Sequence, residues 1–240
     1  MKRKVIKLNP STVAVSLPVK WVREQGVKKK DELEVDVSNS ILTIKAVGAR
    51  PEEKKIEIEL KTGPKRYIIS HINNLYREGY DEIRINFDDI KIVEIIKEAV
   101  ENTLGYEIIE QKEKNCVIKN VAGIFEGEFD NLIRREFLVL LSMADDSLEE
   151  IQNLKVDLEK FRQLKRTVEK LMNSCCRILN KGDRKCSPKS KFIYLIVYTL
   201  EKITNEYLYI VRYVQENNVK FDKALLEHYQ EVNTYLRLLY

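Results

Sequence analysis

Glycine, cysteine and histidine are scarce in this 240-residue chain, with eight, four and two copies, and each scarcity removes a kind of chemistry. No glycine-rich stretch offers the backbone cradle of a phosphate loop. Cys116, Cys175, Cys176 and Cys186 contain no CxxC spacing, and His71 and His228 are the only imidazoles available to join them. Zinc coordination wants paired ligands at close spacing, so a cysteine-based metal site is not expected. Cys175 and Cys176 point in different directions on a helix, and Cys175 falls on an apolar stripe that suits a reduced core thiol. With no nucleophile setting, metal dyad or phosphate loop recognised, the chain is not expected to be an enzyme. His71 reads as a packed or surface histidine, and replacing it together with Asp81 is expected to leave the chain's behaviour unchanged. Long hydrophobic runs are missing as well. The longest, Phe192 to Tyr198, falls far short of the ~20 residues of a membrane span and suits a helix core. The opening Met1-Lys2-Arg3-Lys4 leads straight into an alternating strand pattern, without the apolar stretch of a secretion signal. The expectation is a cytoplasmic, ordered globular protein of two or three small domains, with no membrane insertion.

What the chain does have is a charge asymmetry. Met1 to Arg50 carries 11 Lys/Arg against 5 Asp/Glu, whereas the rest holds 31 against 33. A basic patch on a small β module points toward a polyanion. In that module Lys4–Leu8 and Thr12–Leu17 read as short strands joined by the turn triplet Asn9-Pro10-Ser11. Pro18 precedes a brief helix, Val19 to Gln25, which Gly26 ends. Glu32–Val37 and Ile41–Lys45 alternate again, connected by Ser38-Asn39-Ser40. Four short strands and one helical turn bury too little surface alone, so a partner chain is predicted.

The string Val13-Ala14-Val15-Ser16-Leu17-Pro18, followed by Trp21, Gly26-Val27-Lys28 and Lys30-Asp31-Glu32-Leu33, resembles the AbrB/MazE/SpoVT swapped-hairpin module over residues 1–47. Lys30 stands where that family usually has glycine, a change that reads as added charge. Asn9-Pro10-Ser11 replaces a glycine-rich turn. The resemblance implies a homodimer that binds DNA. Lys2, Arg3, Lys4 and Lys7 would form a doubled basic surface with Lys20 and Arg23, while Asn9, Ser11 and Thr12 would reach base edges or sugars.

After a charged linker, Arg50 to Lys55, residues 56–122 read as a small α/β domain. Strands are expected at Ile56–Leu60 and Ile83–Phe87, helices at Tyr67–Arg77 and Ile92–Leu104, and a closing hairpin at Tyr106–Glu110 and Cys116–Val121. Residues 128–240 carry apolar positions at steps of three and four, as in Phe161, Leu164, Val168, Leu171 and Cys175, or Ile193, Ile196, Leu200, Ile203 and Tyr207. That spacing predicts an antiparallel bundle of four helices, broken near Asn180-Lys181-Gly182-Asp183 and Glu216-Asn217-Asn218. The fold class is therefore multidomain α+β.

Two polar pairs recur on the bundle. Glu169 and Asn173 follow Val168, and Glu201 and Asn205 follow Leu200, each four residues apart and turned away from the seam. On neighbouring helices their oxygens would suit a divalent metal or iron, and an ordinary solvated face is the competing reading. The strings Val168 to Asn173, Arg177 to Gly182, and Leu200 to Tyr207 resemble the helical domain of PhoU-type phosphate-uptake regulators. There Glu/Asp-x-x-x-Asp pairs hold metal, whereas Asn173 and Asn205 replace the closing Asp here. The resemblance implies a DNA-binding regulator of phosphate uptake. The alternative is an adaptor docking on a phosphate transporter or sensor kinase without DNA.

Overall fold

The computed structural model describes residues 2–38, 41–46, 53–122, 128–181 and 189–240. The expected connection at 39–40, the linker at 50–52, the break at 182–183 and Cys186 lie outside the described residues. The chain is an α+β mix with a helical C-terminal region, and it divides into two compact units, Met1–Glu52 and Glu53–Tyr240.

In the first unit β1 (Val5–Asn9) and β2 (Thr12–Val15) form an antiparallel hairpin, and β3 (Leu33–Ser38) and β4 (Ile41–Ala46) form another. Each hairpin is a separate two-stranded sheet. Asn9 Oδ1 accepts from the Ser11 amide and hydroxyl, both at 3.0 Å, which closes the first turn. Between the hairpins lies α1 (Val19–Glu24), which stops in a left-handed turn at Gly26. There the Gly26 and Val27 amides return to the carbonyls of Arg23 and Val22. Lys30 has a φ of 83°, a conformation that disfavours any residue with a Cβ. Lysine at this position therefore adds backbone strain as well as the expected charge.

Cross-strand register places Leu33 with Ala46, Val35 with Ile44, and Val37 with Leu42, one apolar face along the second hairpin. Val35, Val37 and Leu42 are all more than half exposed, and so are Val5, Ile6, Leu8 and Val13 on the first hairpin. Among the described residues of this unit, none is buried. An isolated two-stranded hairpin is marginal in water, and among the described residues neither hairpin rests on a further layer.

The second unit opens with β5 (Lys55–Leu60), α2 (Lys65–Arg77), β6 (Glu82–Phe87), α3 (Ile92–Glu101), β7 (Tyr106–Gln111) and β8 (Asn115–Asn120). The sheet order is β5-β6-β8-β7, with β5 and β6 parallel and the other pairs antiparallel. Ile58, Ile83, Ile85, Cys116 and Ile118 pack with Ile68, Ile72, Ile96 and Ala99 in one core. The sequence pattern carries α3 to Leu104, but the helix ends at Glu101. Thr103 Oγ1 turns back onto the Val100 carbonyl, and Gly105 takes a positive φ before β7.

Four helices follow: α4 (Phe129–Gln152), α5 (Leu158–Lys181), α6 (Ser190–Asn217) and α7 (Lys223–Arg237). Leu154 at φ 53° turns the chain out of α4, and Asp157 Oδ1 accepts from the amides of Glu159 and Lys160 to start α5. Asn218, also left-handed, ends α6, and Asp222 caps α7 through the Leu225 amide at 2.8 Å. Helices α4, α5 and α6 pack on one another, and α7 lies against α4. A buried network fixes α7: Asn233 bridges the Tyr207 hydroxyl and the Ala144 carbonyl, both at 2.7 Å, while Tyr229 meets Ser147.

Candidate nucleic-acid interface and candidate metal positions

All nine candidate DNA contacts lie in the first unit and all are exposed. Lys2, Arg3 and Lys4 precede β1. Lys7 lies within β1 opposite Val13, on the face of Val5 and Val15. Asn9 and Ser11 hold the turn through each other, so their side chains stabilise its shape before they meet any ligand. Thr12 begins β2. Lys20 and Arg23 sit on α1, where Lys20 forms an exposed ion pair with Glu24 at 3.7 Å. Arg3 reaches Ser16 Oγ at 3.5 Å. The arrangement brings the turn residues together and leaves all six cations exposed, with Lys20 sharing its charge with Glu24.

The four candidate metal positions fall in two different surroundings. Glu169 is ion-paired with Lys165 on its own helix. Asn173 is fully buried: its Oδ1 accepts from Arg77 Nε at 2.6 Å, and its Nδ2 donates to the Asn102 carbonyl at 2.8 Å. Glu201 is buried, accepts from Asn205 Nδ2 at 2.7 Å, and lies 3.4 Å from the Lys202 ammonium. The outward orientation expected for both pairs is corrected at Asn173 and Glu201. Helix α5 has neighbours on every side, α4 and α6 in the bundle and α2 from the sheet domain, so Leu171 to Leu179 are buried without a break. These surroundings do not fit a shared metal. An ammonium or guanidinium group already contacts an oxygen of Glu169, Asn173 and Glu201, and among the described residues no group of three or more His, Cys, Asp or Glu side chains is placed to hold one.

Two arrangements that sequence spacing does not reveal are prominent. The first is a clamp between α2 and α5. Arg177 Nη1 donates to the carbonyls of Tyr76 and Tyr80 at 2.8 and 2.7 Å, and Nη2 to Asp81 Oδ1 at 2.8 Å. Lys181 also bonds Asp81, whose Oδ2 accepts from the Lys54 amide at 2.9 Å. The guanidinium lies over the ring of Tyr76, 4.8 Å from its centroid, and Asn180 caps the Arg77 carbonyl. Burial pushes the phenols of Tyr76 and Tyr106 above their usual range. Asp81 is thus a structural hub, and its replacement is expected to destabilise the fold rather than pass unnoticed as the sequence suggests. His71 stacks on Tyr67 at 6.1 Å, as a packed histidine would.

The second is Glu136 of α4, fully buried with neither carboxyl oxygen hydrogen-bonded. Burial, reinforced by the charge of Glu201, pushes its carboxyl up to about 9. A carboxyl raised in the folded state favours folding most below its unfolded value of 4.5, and that contribution is lost as pH rises toward about 9. Glu136→Gln, which keeps the shape of the neutral acid, is expected to gain on the parent across that window. A thermal melt series should show the gap widening with pH to several kcal/mol, on the order of 5, at the alkaline end, and parallel pH profiles would contradict it.

Compared with models of protein families, with curated proteins and with solved structures, the chain finds no match in any of the three.

Proposed function

We propose that this chain is a DNA-binding transcriptional regulator of phosphate uptake, acting in the cytoplasm as a homodimer and catalysing no reaction. The observation that carries the reading is the first unit. It has a continuous apolar hairpin face, no buried side chain among its described residues, and Lys2, Arg3, Lys4, Lys7, Lys20 and Arg23 all exposed. A second copy covering the apolar faces would supply the missing core and double the cationic surface. The link to phosphate rests on the PhoU-like strings around Glu169 and Glu201, and no step is routed through a metal.

A docking adaptor without DNA is the second reading. Its support is the outer surface of α6, where Phe192, Leu195, Tyr209 and Tyr213 are exposed. Gel shifts against the chain's own upstream DNA and random DNA separate the two. The expected result at low salt is a shift with both, tighter on the upstream fragment. A homogeneous dimer that shifts neither would leave the adaptor reading.

A further inference from the structure

The buried stripe of α6 accounts for Val197, Leu200, Tyr207, Val211 and Val214. A second stripe on the same helix is left uncovered by the described residues. Phe192, Leu195, Thr199, Lys202, Glu206, Tyr209 and Tyr213 are all exposed, and their spacing is three, four, three, four, three, four. Three consecutive heptad steps of this kind have the spacing of a two-helix seam, with three polar positions, Thr199, Lys202 and Glu206, at its middle. The four end positions are apolar or aromatic, and Phe192, Leu195 and Tyr213 are each more than three-fifths exposed. Along α7 and just past its end the exposed Leu225, His228, Val232, Tyr235 and Leu239 keep the same spacing over two heptad steps, whereas the α6 stripe runs over three and carries opposite charges, Lys202 and Glu206, at its middle.

We infer that this seam is a homotypic interface, in which α6 pairs antiparallel with α6 of a second copy. The charges choose both the occupant and its direction. With a twofold axis between Lys202 and Glu206, each lysine meets the partner's glutamate. The same axis sets Thr199 opposite Tyr209 and Leu195 opposite Tyr213. A parallel pairing would set lysine against lysine and glutamate against glutamate, which is destabilising. An isologous contact requires a self-complementary surface, and this stripe has that property from Leu195 to Tyr213, while Phe192 falls opposite Glu216 beyond the last pair. Lys202 is half exposed and reaches the surface from beside Glu201, and the Thr199 hydroxyl already donates to the Leu195 carbonyl at 2.8 Å. Covering the seam therefore strands neither polar group. The contact is independent of DNA binding and of the pairing of the first unit.

The test is disulfide trapping in the full chain. Cys186 is replaced by serine, while Cys116, Cys175 and Cys176 are buried. Thr199→Cys with Tyr209→Cys is expected to give a covalent dimer under mild oxidation. Ten residues of helix separate the two positions by about 15 Å, so the bond forms only between copies. The Leu195→Cys single variant, which faces Tyr213 of a twin, should stay uncoupled. In the doubly substituted chain, Lys202→Glu or Glu206→Lys alone should cut the coupled fraction about tenfold, and the two together should restore it. A monomer band throughout, or equal coupling by Leu195→Cys, overturns the inference. So does a charge-reversed pair that fails to recover. Loss of the gel shift with coupling intact would overturn the DNA reading alone.

Discussion

Asp81→Ala is expected to destabilise the second unit by about 3–5 kcal/mol, the usual penalty for removing one partner of a buried ion pair. The reason is what it strands. The Arg177 side chain is 4% exposed, and Asp81 is its one anionic partner among the described residues. Lys181 and the Lys54 amide lose the same acceptor. Arg177→Met should cost less, because each group it leaves behind keeps another partner. The Tyr76 carbonyl still accepts from the Gly79 amide, the Tyr80 carbonyl from the Tyr106 hydroxyl, and Asp81 from Lys181. The double variant should cost less than the sum of the two, since the charge that made each loss expensive has gone. Far-UV circular dichroism in denaturant follows the helices of this unit, while fluorescence of Trp21, the chain's one tryptophan, follows the first. A loss under about 1 kcal/mol in the helical transition for Asp81→Ala would mean that the clamp does not hold α2 to α5.

The periodic elements were legible because burial follows period. Alternation located β3 and β4, and steps of three and four anticipated four helices, although the turn between α4 and α5 was not foreseen. What escaped was set by contacts between elements far apart in sequence. Asn173 has the phase of an outward residue on an isolated bundle, yet α2 covers it, and nothing local announces that a sheet domain will dock there. The nine buried residues from Leu171 to Leu179 were the available signal, since a run containing Met172, Ser174, Cys175 and Cys176 is small and apolar around the whole helix. Arg177 within that run needed an anion, and Asp81 lies almost a hundred residues earlier. Glu136 sits one position before Phe137 in an otherwise apolar stripe, and only its burial marks it. Lys30 illustrates a further case: in the sequence this lysine reads only as added charge, whereas the structure holds it at a φ of 83°, where glycine is the easier residue. Along α6 two stripes lie side by side, and a search for one seam stops at the buried one.

Salt should separate the regulator from the adaptor by orders of magnitude. Six cations, Lys2, Arg3, Lys4, Lys7, Lys20 and Arg23, are exposed on each copy, and the proposed homodimer would double them. If roughly six to ten phosphates are neutralised, raising salt from about 50 to about 200 mM should weaken binding ~10³–10⁵-fold, with a log–log slope near −0.9 per phosphate. The slope then reports individual residues. Lys7→Ala removes two cations from a dimer and should flatten it by about two. Lys20→Ala should flatten it less, because Glu24 already shares that charge. Lys29→Ala, outside the hairpin and helix positions, should leave it unchanged. Thr12→Ala is expected to keep the slope while narrowing the preference for the upstream fragment over random DNA, since a base or sugar contact carries no counterion. Binding that is flat in salt, or equally sensitive to Lys29 and Lys7, would remove the first unit from any role at the phosphate backbone. What remained would be a dimerising arm on a helical docking body.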